Sequence, residues 1–292
     1  MIDSRHLSFI KVYELGSYTK ASQELFLTQP AITQHIQYLE KQYKCKLFIY
    51  NKRQLKASEQ GKLLYDYTKK ILADNIHMEE LITNYEERKN LIFGATLSIG
   101  EYLMRDIIKN ILAKNKDIKI NMRIENTESL LKKLEGGEIF FALIEGFFDK
   151  NKYSYKTLKK EHFIGICSND SKLKNGVFEL KELFNEKLIL REKGSGTREI
   201  FETYLSKQNF SIYSFENICE IGSLNLIKNL VLDNLGISFM YKICVQDEVE
   251  NKKISQINIR DFDLFHEFNF VYLKNSIHEK EYLDFFSYLK TL

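Results

Sequence analysis

The sequence of 292 residues contains no closely spaced cysteine pair: Cys45, Cys167, Cys219 and Cys244 are scattered and form no C-x-x-C. A cysteine metal cluster needs such spacing and usually partnering histidines, so the thiols read as small buried hydrophobes of a reducing compartment. The six histidines show no H-E-x-x-H or similar spacing, and no metal site is expected. No apolar run approaches the roughly 18 residues of a membrane-spanning helix. The start, Met1-Ile2-Asp3-Ser4-Arg5-His6, lacks the apolar segment of a secretory signal. A cytoplasmic location without membrane attachment is therefore expected. Excess charge is missing too. With 43 basic and 40 acidic residues the net charge is +3, which excludes a basic nucleic-acid coat. Any DNA affinity has to come from a local patch. There is one proline, Pro30.

What is present suggests about two domains with a real apolar core, since 44% of the residues are hydrophobic. Leu7, Phe9, Ile10, Val12, Tyr13 and Leu15 have helical spacing over 5–15. Gly16 ends that helix and Ser17 caps the next, a short one over 18–25. After Phe26-Leu27-Thr28, a third helix is predicted from Gln29 to Tyr43, with Pro30 in its first turn, where a missing N–H costs nothing. Two helices joined by about three residues match a helix-turn-helix. Lys46–Tyr50 and Gln54–Ala57 flank a polar turn and predict a β-hairpin wing. Ser58 then caps a long helix over 59–88.

That helix carries the heptad positions Leu64, Tyr67, Ile71, Asp74, Met78, Leu81 and Tyr85, six of the seven apolar. Such a stripe fits either a self-pairing seam or packing on its own domain. From 91 onward, strands at 91–93, 118–124 and 139–144 alternate with helices at 98–115 and 128–135. Further strands are expected at 163–167, 187–190, 217–221, 237–241 and 268–273, and helices at 197–208, 223–234 and 279–290. The alternation indicates an α/β region with largely parallel sheets. The predicted domains are 1–58, a linker helix 59–90, and 91–292 in two lobes, one about 91–160 with 268–292 and the other about 161–267.

The third helix would enter the major groove with its N-terminal residues facing base edges, which nominates Gln29, Thr33, Gln34 and His35. Glutamine pairs bidentately with adenine, and threonine reaches phosphate or a thymine methyl. Lys41, Lys44, Lys46, Lys52, Arg53 and Lys56 follow with no acid between 41 and 56, a local phosphate-binding patch. Farther on, Thr96 and Ser98 precede one helix, and Gly194-Ser195-Gly196-Thr197 opens another. Two helix N-termini facing a cleft, with Thr127, make a seat for a small anion. Plain helix capping by Ser and Thr is the simpler alternative at any one of these loops. Glu145 would oppose an anion, accept a hydrogen bond, or pair with Arg198; the sequence leaves these open. A hydrolase is not indicated, because G-x-S-x-G and the P-loop pattern are both absent. Neither catalytic residues nor a cofactor are predicted.

These motifs carry a resemblance. Residues 1–61 are similar to the DNA-binding domain of LysR-type transcriptional regulators, written S-x-x-x-A-A-x-x-L…Q-P-A-V-S-x-x-I-x-x-L-E…L-F-x-R-x-x-R…L-T-x-x-G. This chain has Ser17, Ala21, Leu25, Gln29-Pro30-Ala31-Ile32-Thr33, Ile36, Leu39-Glu40, Leu47-Phe48, Arg53, Ser58 and Gly61. It departs at Ser22, Thr33, Gln34 and Tyr50. In the later region, Asn126-Thr127, Leu143-Ile144-Glu145-Gly146 and Leu190-Arg191-Glu192-Lys193-Gly194-Ser195-Gly196-Thr197-Arg198 resemble a subgroup with N-T, V-E-G and L-R-E-x-G-S-G-T-R at these places. Glu220-Ile221-Gly222-Ser223 and Gly236-Ile237-Ser238-Phe239 match as well.

The resemblance implies a winged helix-turn-helix followed by an α/β effector domain of two lobes resembling periplasmic binding proteins. It implies double-stranded DNA, a small anionic effector and RNA polymerase as partners, and assembly as a homodimer or homotetramer. The DNA-binding residues it implies are Ser17, Thr19, Gln29, Pro30, Thr33, Gln34, Lys52 and Arg53. The effector-binding residues are Thr96, Leu97, Ser98, Ile99, Thr127, Glu145, Ser195, Gly196, Thr197 and Ser223. The alternative is a regulator whose C-terminal domain takes no ligand and serves oligomerisation and protein contact.

Overall fold

The computed structural model describes residues 3–52, 54–83, 90–114 and 117–291. Arg53, Tyr85 with the last residues expected in the 59–88 helix, and Asn115 lie outside them. The chain forms two compact units: 1–88 with 133–138, and 89–132 with 139–292.

The first unit opens with α1 (Ser4–Leu15), capped by the Asp3 carboxylate, which accepts from the Arg5 N–H. Gly16 stops α1 in the left-handed conformation, at φ 59°. Ser17 caps α2 (Tyr18–Glu24), and Thr28 caps α3 (Gln29–Tyr43), whose first turn holds Pro30. β1 (Phe48–Asn51) and β2 (Gln54–Ala57) pair antiparallel with Asn51 opposite Gln54. The Ser58 hydroxyl accepts from the Gly61 N–H at 2.9 Å and starts α4 (Glu59–Thr83). Phe9, Val12, Ala21, Ile32, Ile36, Leu39, Leu47 and Phe48 form one apolar core across these elements. The start of α4 is fixed to it: Tyr65 stacks on Tyr13 with ring centroids 3.8 Å apart and donates to Glu14 at 3.1 Å.

Gly61 lies where a Cβ would meet the Leu47 carbonyl oxygen at 2.2 Å. Gly61→Ala is therefore expected to destabilise the unit by about 1–3 kcal/mol, the cost of overpacking. A melting curve of the variant checks this, and an unchanged midpoint would contradict it.

The second unit is built on β3 (Asn90–Ala95), β4 (Lys119–Ile124), β5 (Phe141–Ile144), β6 (Tyr153–Ser168) and β7 (Val177–Phe178). It continues with β8 (Lys187–Leu190), β9 (Asn217–Glu220), β10 (Ser238–Tyr241), β11 (Ile254–Gln256), β12 (Asn258–Ile259) and β13 (Leu264–Leu273). Its helices are α5 (Met104–Lys114), α6 (Thr127–Glu135, of which 127–132 belong to this unit), α7 (Gly196–Lys207), α8 (Leu224–Leu232), α9 (Gln246–Glu250) and α10 (Glu279–Lys290). A π-helical turn over Ile99–Leu103 runs into α5.

The principal sheet runs β10-β6-β13-β5-β3-β4, with β11 also on β6. It is mixed, which corrects the expectation of largely parallel sheets. β3 pairs parallel with β4 and β5, but β13 is antiparallel to both β5 and β6, and β10 and β11 are antiparallel to β6. The cause is the length of β6. Its first part, from Tyr153, pairs with β13, while its end, from Phe163 to Ser168, pairs with β10 and β11. Each crossing strand thus serves two lobes. Lobe I carries β3, β4, β5, α5, α6 and α10. Lobe II carries β8, β9, β10, α7 and α8. The positions 160 and 267, taken from sequence as lobe limits, fall inside β6 and β13 rather than in loops. No helix among the described residues is long and apolar enough to cross a membrane.

Candidate functional site

Two regions collect the nominated residues. In the first unit, Thr19, Gln29, Pro30, Gln34 and Lys52 are exposed, and Ser17 and Thr33 are half-buried. Ser17 is committed to capping, accepting from the Lys20 N–H at 3.3 Å. The Gln29 amide donates to the Thr33 hydroxyl at 3.1 Å, and that hydroxyl donates to the Gln29 carbonyl at 3.0 Å. Gln34 is left the exposed glutamine next in line. His35 is not presented: its Nδ1 lies 2.8 Å from the Ser8 hydroxyl, tying α3 to α1.

Lys52 sits at the hairpin tip with φ 47°, a left-handed turn position. Lys46 is compensated by Glu40 at 2.7 Å, so it adds little to the basic patch. Lys41, Lys44, Lys52 and Lys56 are exposed. The sequence reading missed Phe26. It stands 95% exposed between α2 and α3 at φ 54°, an aromatic side chain held out on the turn.

In the second unit the effector candidates split into two groups. Thr96, Ser98, Glu145 and Thr197 form a closed cluster, each 3% exposed or less. The Glu145 carboxylate accepts from the Thr96 hydroxyl at 2.7 Å and the Ser98 hydroxyl at 3.0 Å, and from Thr197 at 3.4 Å. Thr96 and Ser98 follow β3 and Glu145 follows β5, all in lobe I; Thr197 opens α7 in lobe II. Glycines permit this approach. A Cβ on Gly196 would lie 3.0 Å from the Gly146 Cα, and one on Gly146 would lie 2.4 Å from the Thr127 hydroxyl.

Burial pushes the Glu145 carboxyl above its ordinary range, against the pull of the Thr96 and Ser98 hydroxyls, Arg191 and the Ile99 N–H. Burial also drives the neighbouring Tyr241 phenol and Cys244 thiol upward, and the Glu145 charge adds to both. Of the three roles left open for Glu145, accepting hydrogen bonds is the one the structure shows. Arg198 pairs instead with Glu202 at 2.7 Å and Glu220 at 2.5 Å, and donates to the Arg191 carbonyl at 3.2 Å.

The second group surrounds a cavity of about 440 Å³ lined by Thr127, Ser195 and Arg198 with Glu128, Glu199, Glu202, Leu131, Phe147 and Gly194. Thr127 begins α6, and its buried Oγ1 has no hydrogen-bond partner among the described residues. Ser195 precedes α7 without making a side-chain capping bond. The remaining candidates serve packing. Ile99 is fully buried in the core, and Leu97 packs against it. Ser223 caps α8, accepting from the Leu226 N–H at 3.3 Å. Sequence spacing missed Leu131, Phe147, Glu199 and Glu202, because only the fold brings α6, the loop after β5 and α7 together. The four cysteines are free thiols, Cys167 and Cys244 buried and Cys45 and Cys219 half-buried.

Residues 6–62 match the family model of the bacterial regulatory helix-turn-helix protein of the lysR family, and 85–292 match that of the LysR substrate binding domain. The chain belongs to the LysR family. It is a LysR-type DNA-binding transcriptional regulator with a substrate-binding domain. Among its relatives is the HTH-type transcriptional activator CmpR of Synechocystis sp., 28% identical over 95% of this chain and 92% of that protein. Another is the HTH-type transcriptional regulator CysL of Bacillus subtilis, 24% identical over 91% of this chain and 89% of that protein. Solved structures of LysR-type proteins share the fold. A peroxide-bound OxyR mutant of Corynebacterium glutamicum aligns with TM-score 0.62 at 18% identity, covering 99% of this chain and 91% of that one. The regulatory domain of Synechocystis CcmR, in complex with 2-PG, aligns with TM-score 0.62 at 18% identity over 70% of this chain and 96% of that one.

Proposed function

We propose that this LysR-type regulator reads operator DNA with α3 and the β1–β2 hairpin, working as a dimer or a tetramer, and that a small effector bearing an acid group binds in the cavity between lobes I and II. Occupancy then alters DNA bending or contact with RNA polymerase. The cavity itself carries this reading: the first turns of α6 and α7 border it, and Thr127, one of its lining residues, has a buried hydroxyl without a partner among the described residues. First-turn amides of a helix have no intrahelical acceptor, so an acid group is a natural occupant. The regulatory domain of Synechocystis CcmR, solved in complex with 2-PG, supplies a precedent for a small ligand in this fold.

A second reading has one observation in its favour. The Thr96, Ser98 and Thr197 hydroxyls are already satisfied by Glu145, as a ligand-free scaffold would have them. A thermal-shift screen of small acids separates the two. A shift that Thr127→Val abolishes supports the cavity; silence across a broad panel favours the scaffold.

For DNA, a gel shift with the upstream region of its own gene is expected to show specific, salt-sensitive binding. Lys52→Ala should weaken binding on every sequence by roughly the same factor, since phosphate contacts carry no base information. Replacement of Gln34 or Thr33 should shift base preference instead. Absence of binding at low salt would overturn the proposal.

A further inference from the structure

Phe26 is the most exposed large hydrophobic side chain among the described residues, at 95%. It follows α2 at φ 54°, in the left-handed region. Seven other non-glycine residues among those described adopt a positive φ, and all are asparagine, aspartate or lysine. Two hydrogen bonds build the Phe26 turn. The Leu27 N–H donates to the Ser22 carbonyl at 2.9 Å, and the Phe26 N–H donates to the Gln23 carbonyl at 3.3 Å. This pair of bonds ends a helix on a left-handed residue, where glycine fits best and asparagine next. A phenylalanine there is strained by its Cβ. It has no packing to offset that strain, because its ring is in solvent and takes no part in the core of the unit.

The place of the ring indicates what it meets. Phe26 stands two residues before Thr28, the cap of α3, and three before Gln29, its first residue. Residues 26–30 are exposed without interruption. No residue from 25 to 39 is acidic, and Glu24, just before them, is paired with Lys11 at 2.6 Å. A phosphate backbone therefore meets no unpaired carboxylate at the start of α3. A helix that enters the major groove by its N-terminal end brings the preceding turn to the edge of that groove. The apolar feature of the base edges there is the thymine 5-methyl group, and phenylalanine is among the side chains that pack on it.

We infer that Phe26 is a base-reading residue, with its ring packed on a thymine methyl group that flanks the bases met by α3. This rests on the reading of α3 as the helix in the groove. The contact covers a ring that the free chain leaves bare, and so offsets the strain of the turn.

The test uses the full-length protein in gel shifts on the upstream region of its own gene, after footprinting has located the bound bases. Each thymine in the footprint is replaced in turn by deoxyuridine, which lacks only the methyl group. One thymine in each half-site should be sensitive, with a loss of about fourfold, the worth of one buried methyl group. Phe26→Asn keeps a residue suited to the left-handed turn. It should lower affinity for the natural operator about fivefold or more, and bind the thymine and deoxyuridine operators equally at that position. Its melting point should equal or exceed that of the natural chain. Phe26→Ala should lose the same discrimination.

If no thymine is sensitive, or if Phe26→Asn retains the deoxyuridine penalty, the inference is overturned while DNA reading by α3 stands. The same holds if Phe26→Asn binds the operator as tightly as the natural chain but no longer acts on transcription by purified RNA polymerase, which would assign the ring to a protein contact. An unaltered protein without specific binding at low salt overturns both readings.

Discussion

Replacing Leu63 and Tyr67 together by glutamate should turn the assembled regulator into a monomer and lower its affinity for operator DNA by about a hundredfold or more. The two side chains are 73% and 62% exposed, so their loss should not harm the fold of a single chain. Along α4 they continue into Ile71, Met78 and Ile82, all exposed. At the angular step of an α-helix these five positions share an apolar stripe about 100° wide. At its N-terminal end the stripe joins an apolar hollow of about 380 Å³ lined by Tyr43, Cys45, Leu47, Gln60, Leu63, Leu64 and Tyr67.

Monomeric soluble proteins seldom leave such a continuous apolar surface bare. A second copy of α4 has the matching chemistry, and two-fold assembly places two recognition helices on two half-sites. Large apolar anchors at the centre of an interface are worth about 2 kcal/mol or more each, roughly thirtyfold in affinity. Light scattering at micromolar concentration and a gel shift read the two effects. A double variant that remains dimeric and binds DNA normally would refute the assignment of this face.

Glu145→Gln should make the protein more stable at neutral pH, by about 2 kcal/mol, although it replaces a residue making three hydrogen bonds. The carboxylate is 2% exposed, and its ordinary pKa of 4.5 is raised by that burial. The groups facing it are the Thr96 and Ser98 hydroxyls, the Ile99 N–H and Arg191, with Tyr241 and Cys244 near enough to feel its charge. A neutral amide keeps an acceptor for Thr96 and can donate to the Ser98 or Thr197 hydroxyl, without the cost of a buried charge.

The pH dependence follows from the raised value. As pH falls, the folded protein protonates Glu145 before the unfolded chain does. The destabilisation is therefore complete above the folded pKa. It is relieved as pH falls through that value towards 4.5, where the unfolded chain also takes up its proton. The advantage of the glutamine variant should shrink over the same interval. Melting points of both proteins between pH 7.5 and the onset of acid unfolding, at about pH 4, test this. A variant that melts lower at neutral pH would show that the charged hydrogen bonds outweigh the burial cost.

Much of the first unit is legible in the chain because its signals are local. Gly16, Ser17, Pro30 and Ser58 mark ends that lie within a turn of the residues they act on, and α3 spans the predicted Gln29–Tyr43. Repeated strand–helix alternation likewise exposes most elements of the second unit, including β8 and α10. The early part of β6 was not legible. Residues 153–162 have lysines among their apolar positions, and their strand state depends on β13, about a hundred residues later. The heptad reading of α4 named Leu64, yet Leu64 packs against the core of its own unit, while Leu63 and Ile82 stand exposed. A helical period cannot choose between adjacent positions until the neighbouring elements are placed.

The helix-turn-helix was determined by the sequence by itself, because caps, turns and helical period act over a few residues. It also showed the alternation of an α/β region and the hydroxyl-bearing loops at 96–98, 127 and 195–197. Tertiary structure alone decided which of those hydroxyls remain available. Glu145 takes up Thr96, Ser98 and Thr197 from loops 47 to 52 residues away, and the buried Thr127 hydroxyl is left without a partner among the described residues. That outcome depends on the long crossing strands, which bring two lobes face to face, and no local pattern encodes who meets whom across that seam.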